Sequence, residues 1–349
     1  MQNGKAHLVK ALHWSQDVEV EMAEVLASGI GMIAPIVFAA ALGQLPLGLT
    51  ASVGALAVAG VRPGSSPKVQ LQGLISAFLV AVAASIAAAL VVGNGWLTDV
   101  LVVLLACVAA TIGGYSRPMV AAMMRFVLFL IIISNVAQAL ANPAWLLFLI
   151  VAGALWASLL SLLLGTWLCV HRRNNPGAAA ATSTATAAQK FTRWTRSLSH
   201  LSGWQYTFRL GLCLSAAGVF QWLWPDHHLY WIAVTVAILS QRKVEAFQIK
   251  ATQRAIGTAL GVLAAGLLIA FQLPVWGLIL AIGLLAGARP VLKSRNYLAY
   301  SAAITLLIIL LIDVGQPLGA GVLADRLLAT VIGVALVIAA NRIVRTGGR

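Results

Sequence analysis

The feature that most constrains this chain is a succession of apolar runs, each long or nearly long enough to cross a lipid bilayer, separated by short polar or Gly- and Pro-containing breaks. A helix needs about 20 apolar residues to cross roughly 30 Å of hydrocarbon. Twelve segments meet or approach that length: 25–43, 48–61, 70–93, 97–114, 118–140, 144–170, 205–223, 229–241, 252–272, 275–288, 296–312 and 318–341. Strands are not a rival, because runs such as residues 126–133 are apolar on every face, whereas strands of a membrane barrel alternate. The expected fold is therefore an all-α membrane protein with about 12 transmembrane segments. Composition agrees: 61% of the 349 residues are apolar and 9% charged, against about 25% charged in a soluble domain.

The charge balance, 23 Lys and Arg against 9 Asp and Glu for a net +14, would suggest nucleic acid in a soluble chain. Here the cations sit at the ends of apolar runs. Lys5 and Lys10 precede the first run, Arg62 and Lys68 follow the second, and Arg117 follows the fourth; Arg172, Arg173, Lys190, Arg193 and Arg196 follow the sixth. Arg242, Lys243 and Lys250 follow the eighth, Arg289, Lys293 and Arg295 the tenth, and Arg342, Arg345 and Arg349 the twelfth. The intervening loops carry no Lys or Arg. By the positive-inside rule, both termini and the central linker are cytoplasmic. The basic excess then records topology: the lipid bilayer is the partner and nucleic acid is not. The first run follows an arm that includes Asp17, Glu19, Glu21 and Glu24, the opposite of a short basic leader, so it reads as a span and not as a cleavable signal.

The expected organisation is a cytoplasmic arm (1–24), a first six-span half (25–170), a basic linker (171–203), a second six-span half (204–345) and a cytoplasmic tail (346–349). In the arm, Leu8, Leu12 and Trp14 fall near one face, which suits a surface-lying helix as well as a solvated arm. The linker contains the low-complexity run 177–188 and reads as flexible. Setting Arg62 against Arg242 also lays Trp96 on Trp276 and the short second run on the short eighth. Six spans per half make the repeat parallel, about an axis along the membrane normal. Paired short segments at matching positions of two halves point to a transport site, and these carry Thr50, Ser52 and Gly54 in one half, Thr235 and Ser240 in the other.

Polar residues inside the runs are the candidates for chemistry. Arg326 lies nine positions after Pro317, about 13 Å along a helix, where a cation is costly and marks a pathway or a partner. Asp325, Asp313 and Asp99 are candidate charge partners or proton carriers. Arg254, Thr258 and Gly261 stand at i, i+4 and i+7, and Arg326, Thr330 and Gly333 repeat that spacing, so each set shares one helix face. Guanidinium suits a carboxylate better than ammonium does. Arg125, seven residues inside the fifth run, either joins the same cavity or snorkels to headgroups. The pair His227-His228 lacks the further ligands a metal site needs. Cys107, Cys169 and Cys213 show no paired spacing. With no Walker A sequence, nucleophile elbow or HExxH, neither an enzyme nor a cofactor is indicated.

Tyr230-Trp231 followed by Thr235-Val236, then Arg254-xx-Gly257-Thr258-xx-Gly261 and the later Arg326-xxx-Thr330-xx-Gly333, resembles the core of the fusaric acid resistance and aromatic acid exporter family, related to plant aluminium-activated malate transporters. The resemblance covers about residues 204–345; residues 29–170 fit as a diverged copy. It implies export of aromatic or other organic carboxylate anions, with a periplasmic adaptor subunit as a partner in many members. It also places Arg254, Thr258 and Arg326 near the translocation path with Tyr230, Trp231 and Thr235 beside it. Two departures stand out: the linker is short where many members have a large cytoplasmic domain, and Ser240-Gln241-Arg242 lacks a proline common after the short span. A secondary exporter of small organic anions is the leading expectation. A passive anion channel and a non-transporting scaffold or accessory subunit are the alternatives, and self-association into a homo-oligomer stays open.

Overall fold

The computed structural model describes residues 14–15, 20–60, 67–138, 143–169, 186–240, 247–312 and 320–346. The arm up to Leu12 and the candidate carboxylate Asp313 fall outside them. Among the described residues the regular structure is wholly helical. The helices of the first half are α1 (Met22–Ala41), α2 (Leu45–Val58), α3 (Pro67–Val91), α4 (Trp96–Ile112), α5 (Arg117–Gln138) and α6 (Pro143–Cys169). Then come α7 (Ala187–Leu198), α8 (Leu201–Leu223), α9 (Tyr230–Leu239), α10 (Phe247–Ala270), α11 (Val275–Arg295), α12 (Tyr297–Ile312) and α13 (Ala320–Thr346). Eight of them, α1, α3, α4, α5, α6, α10, α11 and α13, contain stretches long and apolar enough to cross a bilayer; α2, α9 and α12 are apolar but shorter. Leu79, Leu90, Leu104, Phe148, Leu163, Leu263, Leu284 and Val331 point outward, half or more exposed, as they must on a surface solvated by lipid. The chain is an all-helical, multi-pass membrane protein.

Two elements differ from the sequence expectation. By its pattern the tenth run ends at residue 288, with Arg289 in a loop, because Pro290 follows; α11 instead continues through Pro290 to Arg295. A proline inside a helix frees the carbonyl four residues earlier, and in an apolar interior that oxygen needs another donor. Ser28 on α1 supplies it: its hydroxyl donates to the Ala286 carbonyl at 2.7 Å. Arg289 is thereby carried into the bundle, 5% exposed. The second difference is α7, which forms within the stretch that reads as a flexible linker. Thr186 and Gln189 close its first turn with a reciprocal capping box.

The two short helices lie in the interior. Apart from Thr50, every residue of α2 from Gly48 to Val58 is buried, and most of α9 is as well; a helix apolar on all faces requires such enclosure. Around them the two halves use the same neighbours. In the first, α1 packs on α2 and α6, α2 on α3 and α6, α3 on α5 and α6, and α4 on α5. In the second, α8 packs on α9 and α13, α9 on α10 and α13, α10 on α12 and α13, and α11 on α12. The halves meet through α1 with α11 and α4 with α8, and through α2 with α12 and α5 with α9. Exchanging the halves turns each member of these pairs of contacts into the other.

Close approach of α2 to α6 depends on absent side chains. A Cβ at Gly54 would collide with the carbonyl of Ile150, and one at Gly153 with the carbonyl of Ala51. Gly333, the counterpart of Gly153 when the halves are aligned, plays the same part for α13, where a Cβ would strike Thr235. Gly54→Ala is expected to lower the thermal unfolding midpoint of the detergent-purified protein, in line with the ~1–3 kcal/mol cost of overpacking. Gly321→Ala, in a helical position with nothing within 4 Å, leaves the midpoint unchanged. Equal midpoints for Gly54→Ala and wild type would show that α2 can back away from α6.

Candidate functional site: buried arginines of the second half

The motif on α9 and the motif on α13 are two faces of one contact. Trp231 and Thr235 stand four apart on α9 and Arg326, Thr330 and Gly333 share a stripe of α13; Gly333 leaves room for Thr235. Further along the same contact, the guanidinium of Arg326 lies over the indole of Trp231, 3.1 Å from the ring centroid. Both residues are almost fully buried, Trp231 at 1% and Arg326 at 2% exposure. The Tyr230 ring rests against Trp231, centroids 4.5 Å apart. Stacking on an aromatic face engages the π surface of a guanidinium and leaves its N–H donors in their own plane, the geometry that receives a carboxylate through two parallel hydrogen bonds. Thr330 is less available than the sequence suggests, since its hydroxyl donates to the Arg326 carbonyl within the helix at 2.9 Å.

Asp325 points elsewhere, as successive positions on a helix require. One carboxylate oxygen is 2.7 Å from Nδ1 of His227, and the other accepts the backbone N–H of His228 at 3.0 Å. By sequence, Asp99 is one candidate partner for Arg326. Asp99 lines a groove between α4 and α8 with Trp96, Ser215, Gly218 and Trp222, none of them basic. The His227-His228 turn joins α8 to α9, so Asp325 fixes the start of α13 to that turn and Arg326 sits at the same end of the bundle.

Arg254 belongs to a second cluster, on α10, whose first turns follow the C-terminal end of α9 along the chain. Its face, with Thr258 and Gly261, packs on α12. Arg254 Nη1 donates to Ser301 Oγ at 3.5 Å, and Gly257 and Gly261 bring α10 against Ser301 and Thr305. Arg254, Thr258, Ser301 and Thr305 are all at most 2% exposed. The Arg254 Nε, Thr258 Oγ1 and Thr305 Oγ1 atoms are buried without a hydrogen-bond partner, which in an interior is costly unless a polar guest visits. Two more arginines approach the first turns of α12. Arg289 lies within electrostatic range of Glu24, Tyr300 and the like-charged Arg125, and Arg125 within range of Tyr300. Asn296 caps α12, accepting the N–H groups of Leu298 and Ala299 at 2.8 and 3.0 Å. The N-terminus of α12, itself the positive end of a helix dipole, thus faces cations from α10, α11 and α5.

Several of these residues are not singled out by the sequence. Arg289 reads as part of a loop, and Ser301 with Thr305, an i, i+4 pair in an otherwise apolar run, draws no attention although its spacing matches Arg254 and Thr258. Arg209, which belongs to no basic loop, is buried in α8 and donates to Asn341 Oδ1 at 2.8 Å, tying α8 to α13. The alignment that sets Arg62 against Arg242 places Leu74 opposite Arg254 and Leu146 opposite Arg326, each leucine 2% exposed. The first half therefore fills with leucine the two positions where the second half keeps arginine.

Together the fold and the cluster define a multi-pass helical membrane protein that holds buried cations in one of two similarly packed halves. Residues 214–340 match the family described as fusaric acid resistance protein-like, the family the sequence resembles. The matched stretch contains Trp231, Arg254, Arg289 and Arg326, and the family is one of membrane transport and efflux proteins, not of enzymes. No curated protein and no solved structure matches the chain significantly.

Asp325→Ala removes both acceptors that hold the His227-His228 turn. The backbone amide of His228 is expected to exchange with solvent deuterium on the order of tenfold faster or more, as loss of a charge-assisted hydrogen bond implies. Unchanged exchange would mean that the turn is held by other contacts.

Proposed function

We propose that the chain is an inner-membrane secondary transporter that exports small organic anions, chiefly aromatic carboxylates, built as two parallel six-span repeats with both termini cytoplasmic. One observation carries the reading: buried cationic charge exceeds buried anionic charge. Among the described residues Arg209, Arg254, Arg289 and Arg326 are at most 8% exposed, and Asp325 is the one carboxylate in that class. Guanidinium groups inside a membrane protein are expensive and face partners or a pathway; Arg209 donates to Asn341. The remaining three form two stations, Arg326 with Trp231 toward one end and Arg254 with Arg289 toward the other. A carboxylate gains charge-assisted hydrogen bonds at each, and its aromatic body gains contact with Trp231 and Tyr230.

The matching neighbours of the two halves support the repeat, and the paired short helices α2 and α9 are the interrupted elements around which such transporters place their sites. The leucines at 74 and 146 favour a path built mainly from the second half. Loops rich in Lys and Arg at one end support the orientation.

Purified protein in liposomes preloaded with unlabelled benzoate is expected to accumulate labelled benzoate transiently by counterflow. Arg326→Ala and Arg254→Ala each reduce the initial rate about tenfold or more, the scale of one lost charge-assisted hydrogen bond. Arg326→Lys recovers only part, because ammonium neither stacks on indole nor presents a planar fork. Dissipation of a benzoate gradient without trans-stimulated exchange would identify a pore instead of a transporter. Wild-type rates in both alanine variants would remove the arginines from the path.

A further inference from the structure

Helix α7 has no role in the cation path, yet its sequence is specialised. Ala187, Phe191, Trp194 and Leu198 stand at i, i+4, i+7 and i+11 and form one apolar stripe, while Lys190, Arg193 and Arg196 run from the edge of that stripe round to the opposite face. No acidic residue lies between 171 and 225. Nothing in the helix is buried. It is nevertheless fixed in place: Trp194 Nε1 donates to the Thr111 carbonyl at 3.1 Å, and the Trp194 and Tyr115 rings meet edge to face at 6.3 Å. Those partners belong to the turn where one bilayer-length stretch, Trp96–Tyr115, ends and the next, Arg117–Gln138, begins. The helix therefore rests at the depth where hydrocarbon gives way to headgroups. Phe191 remains 55% exposed there, and the chain continues into α8 with Leu201 and Trp204 exposed.

We infer that α7 is an interfacial helix that binds the anionic headgroups of the adjoining leaflet, with Phe191 inserted at the acyl boundary and Lys190, Arg193 and Arg196 paired with lipid phosphates. Basic amphipathic helices with aromatic apolar faces lie in this plane, and each Lys or Arg close to an anionic surface strengthens association by about fivefold. The repeat provides an independent sign that the position is architectural. The same alignment of the halves lays Lys10 and Trp14 on Lys190 and Trp194, and Arg295 on Tyr115. In the structure the Ser15 N–H, beside Trp14, donates to the Arg295 carbonyl at 3.0 Å. The segment ahead of each half is thus docked on the same turn of the other half, and charge complementarity names its remaining partner as lipid.

The test uses the full chain, with its three native cysteines replaced, carrying a nitroxide at Phe191→Cys or Arg193→Cys. The protein is placed in nanodiscs of phosphatidylcholine with or without phosphatidylglycerol. In anionic discs the label at 191 is expected to be reached by oxygen and protected from a water-soluble nickel chelate, with the reverse at 193. Removing phosphatidylglycerol, or combining Lys190→Gln, Arg193→Gln and Arg196→Gln with the label at 191, abolishes most of that protection while the protein still elutes as wild type. Equal chelate access at 191 and 193 in anionic discs would make α7 a solvated linker. Shielding of 191 from both reagents would assign the face to a protein contact. Protection that is the same in both lipids would remove the charges from the association. Each of these outcomes overturns the inference.

Discussion

A backbone carbonyl in hydrocarbon must find a donor within the protein, and one such pairing sets the layout of the cation cluster. Pro290 withholds the N–H that would have bonded Ala286, and the hydroxyl of Ser28 replaces it from the other half of the molecule. Because that oxygen is satisfied, α11 runs on past its proline and carries Arg289 inward, close to Arg125, Glu24 and the start of α12. The same hydroxyl joins α1 to α11, one of the contacts through which the two halves meet. A single small polar side chain thus serves the continuity of a helix, the contact between halves and the position of a buried cation.

The short helices impose the second constraint. With only 14 and 10 residues, α2 and α9 cannot reach across a bilayer unaided, so longer helices must surround them and carry the chain on. Glycines at 54, 153 and 333 permit the necessary approach of α6 and α13. The enclosure also explains how an arginine can stack on a tryptophan inside the bundle. Trp231 is held on a helix that touches no lipid along most of its length, and Arg326 reaches it from the neighbouring helix and not from solvent. Buried arginine and buried indole stabilise each other by cation–π attraction, which strengthens as both are withdrawn from water.

Much of this is legible in the sequence because hydrophobic length and basic loops are properties of the chain in one dimension. The helical segments, the two short runs and the faces shared by Arg254 with Thr258, and by Arg326 with Gly333, follow from spacing alone. Contacts between segments distant in the chain are not legible. Periodicity shows that Arg254 and Thr258 share a face but not that α12 covers it, so Ser301 and Thr305 carry no signal of their own. Asp325 stands next to Arg326, yet its partners are 97 and 98 residues away in a turn that reads as an ordinary polar loop. Pro290 reads as a stop because the donor that neutralises its effect is 258 residues from the carbonyl it satisfies. Low complexity hides α7, whose capping box begins only where the run of Ala and Thr gives out.

The leucines at 74 and 146 have a consequence for stoichiometry and for drift. Two halves of like architecture invite the assumption of two equivalent paths per chain, but buried leucine accepts neither a carboxylate nor a proton, so on the proposed reading each polypeptide has one anion path, with both its stations in the second half. On that reading the first half, apart from Arg125, Glu24 and Ser28 beside α11 and α12, serves chiefly as a packing counterweight. Its buried positions can exchange one aliphatic residue for another of similar size over generations, whereas Arg254 and Arg326 admit no such trade. Divergence between the halves is accordingly expected to be fastest in the copy without charge, and the family match at residues 214–340 lies in the copy that keeps it.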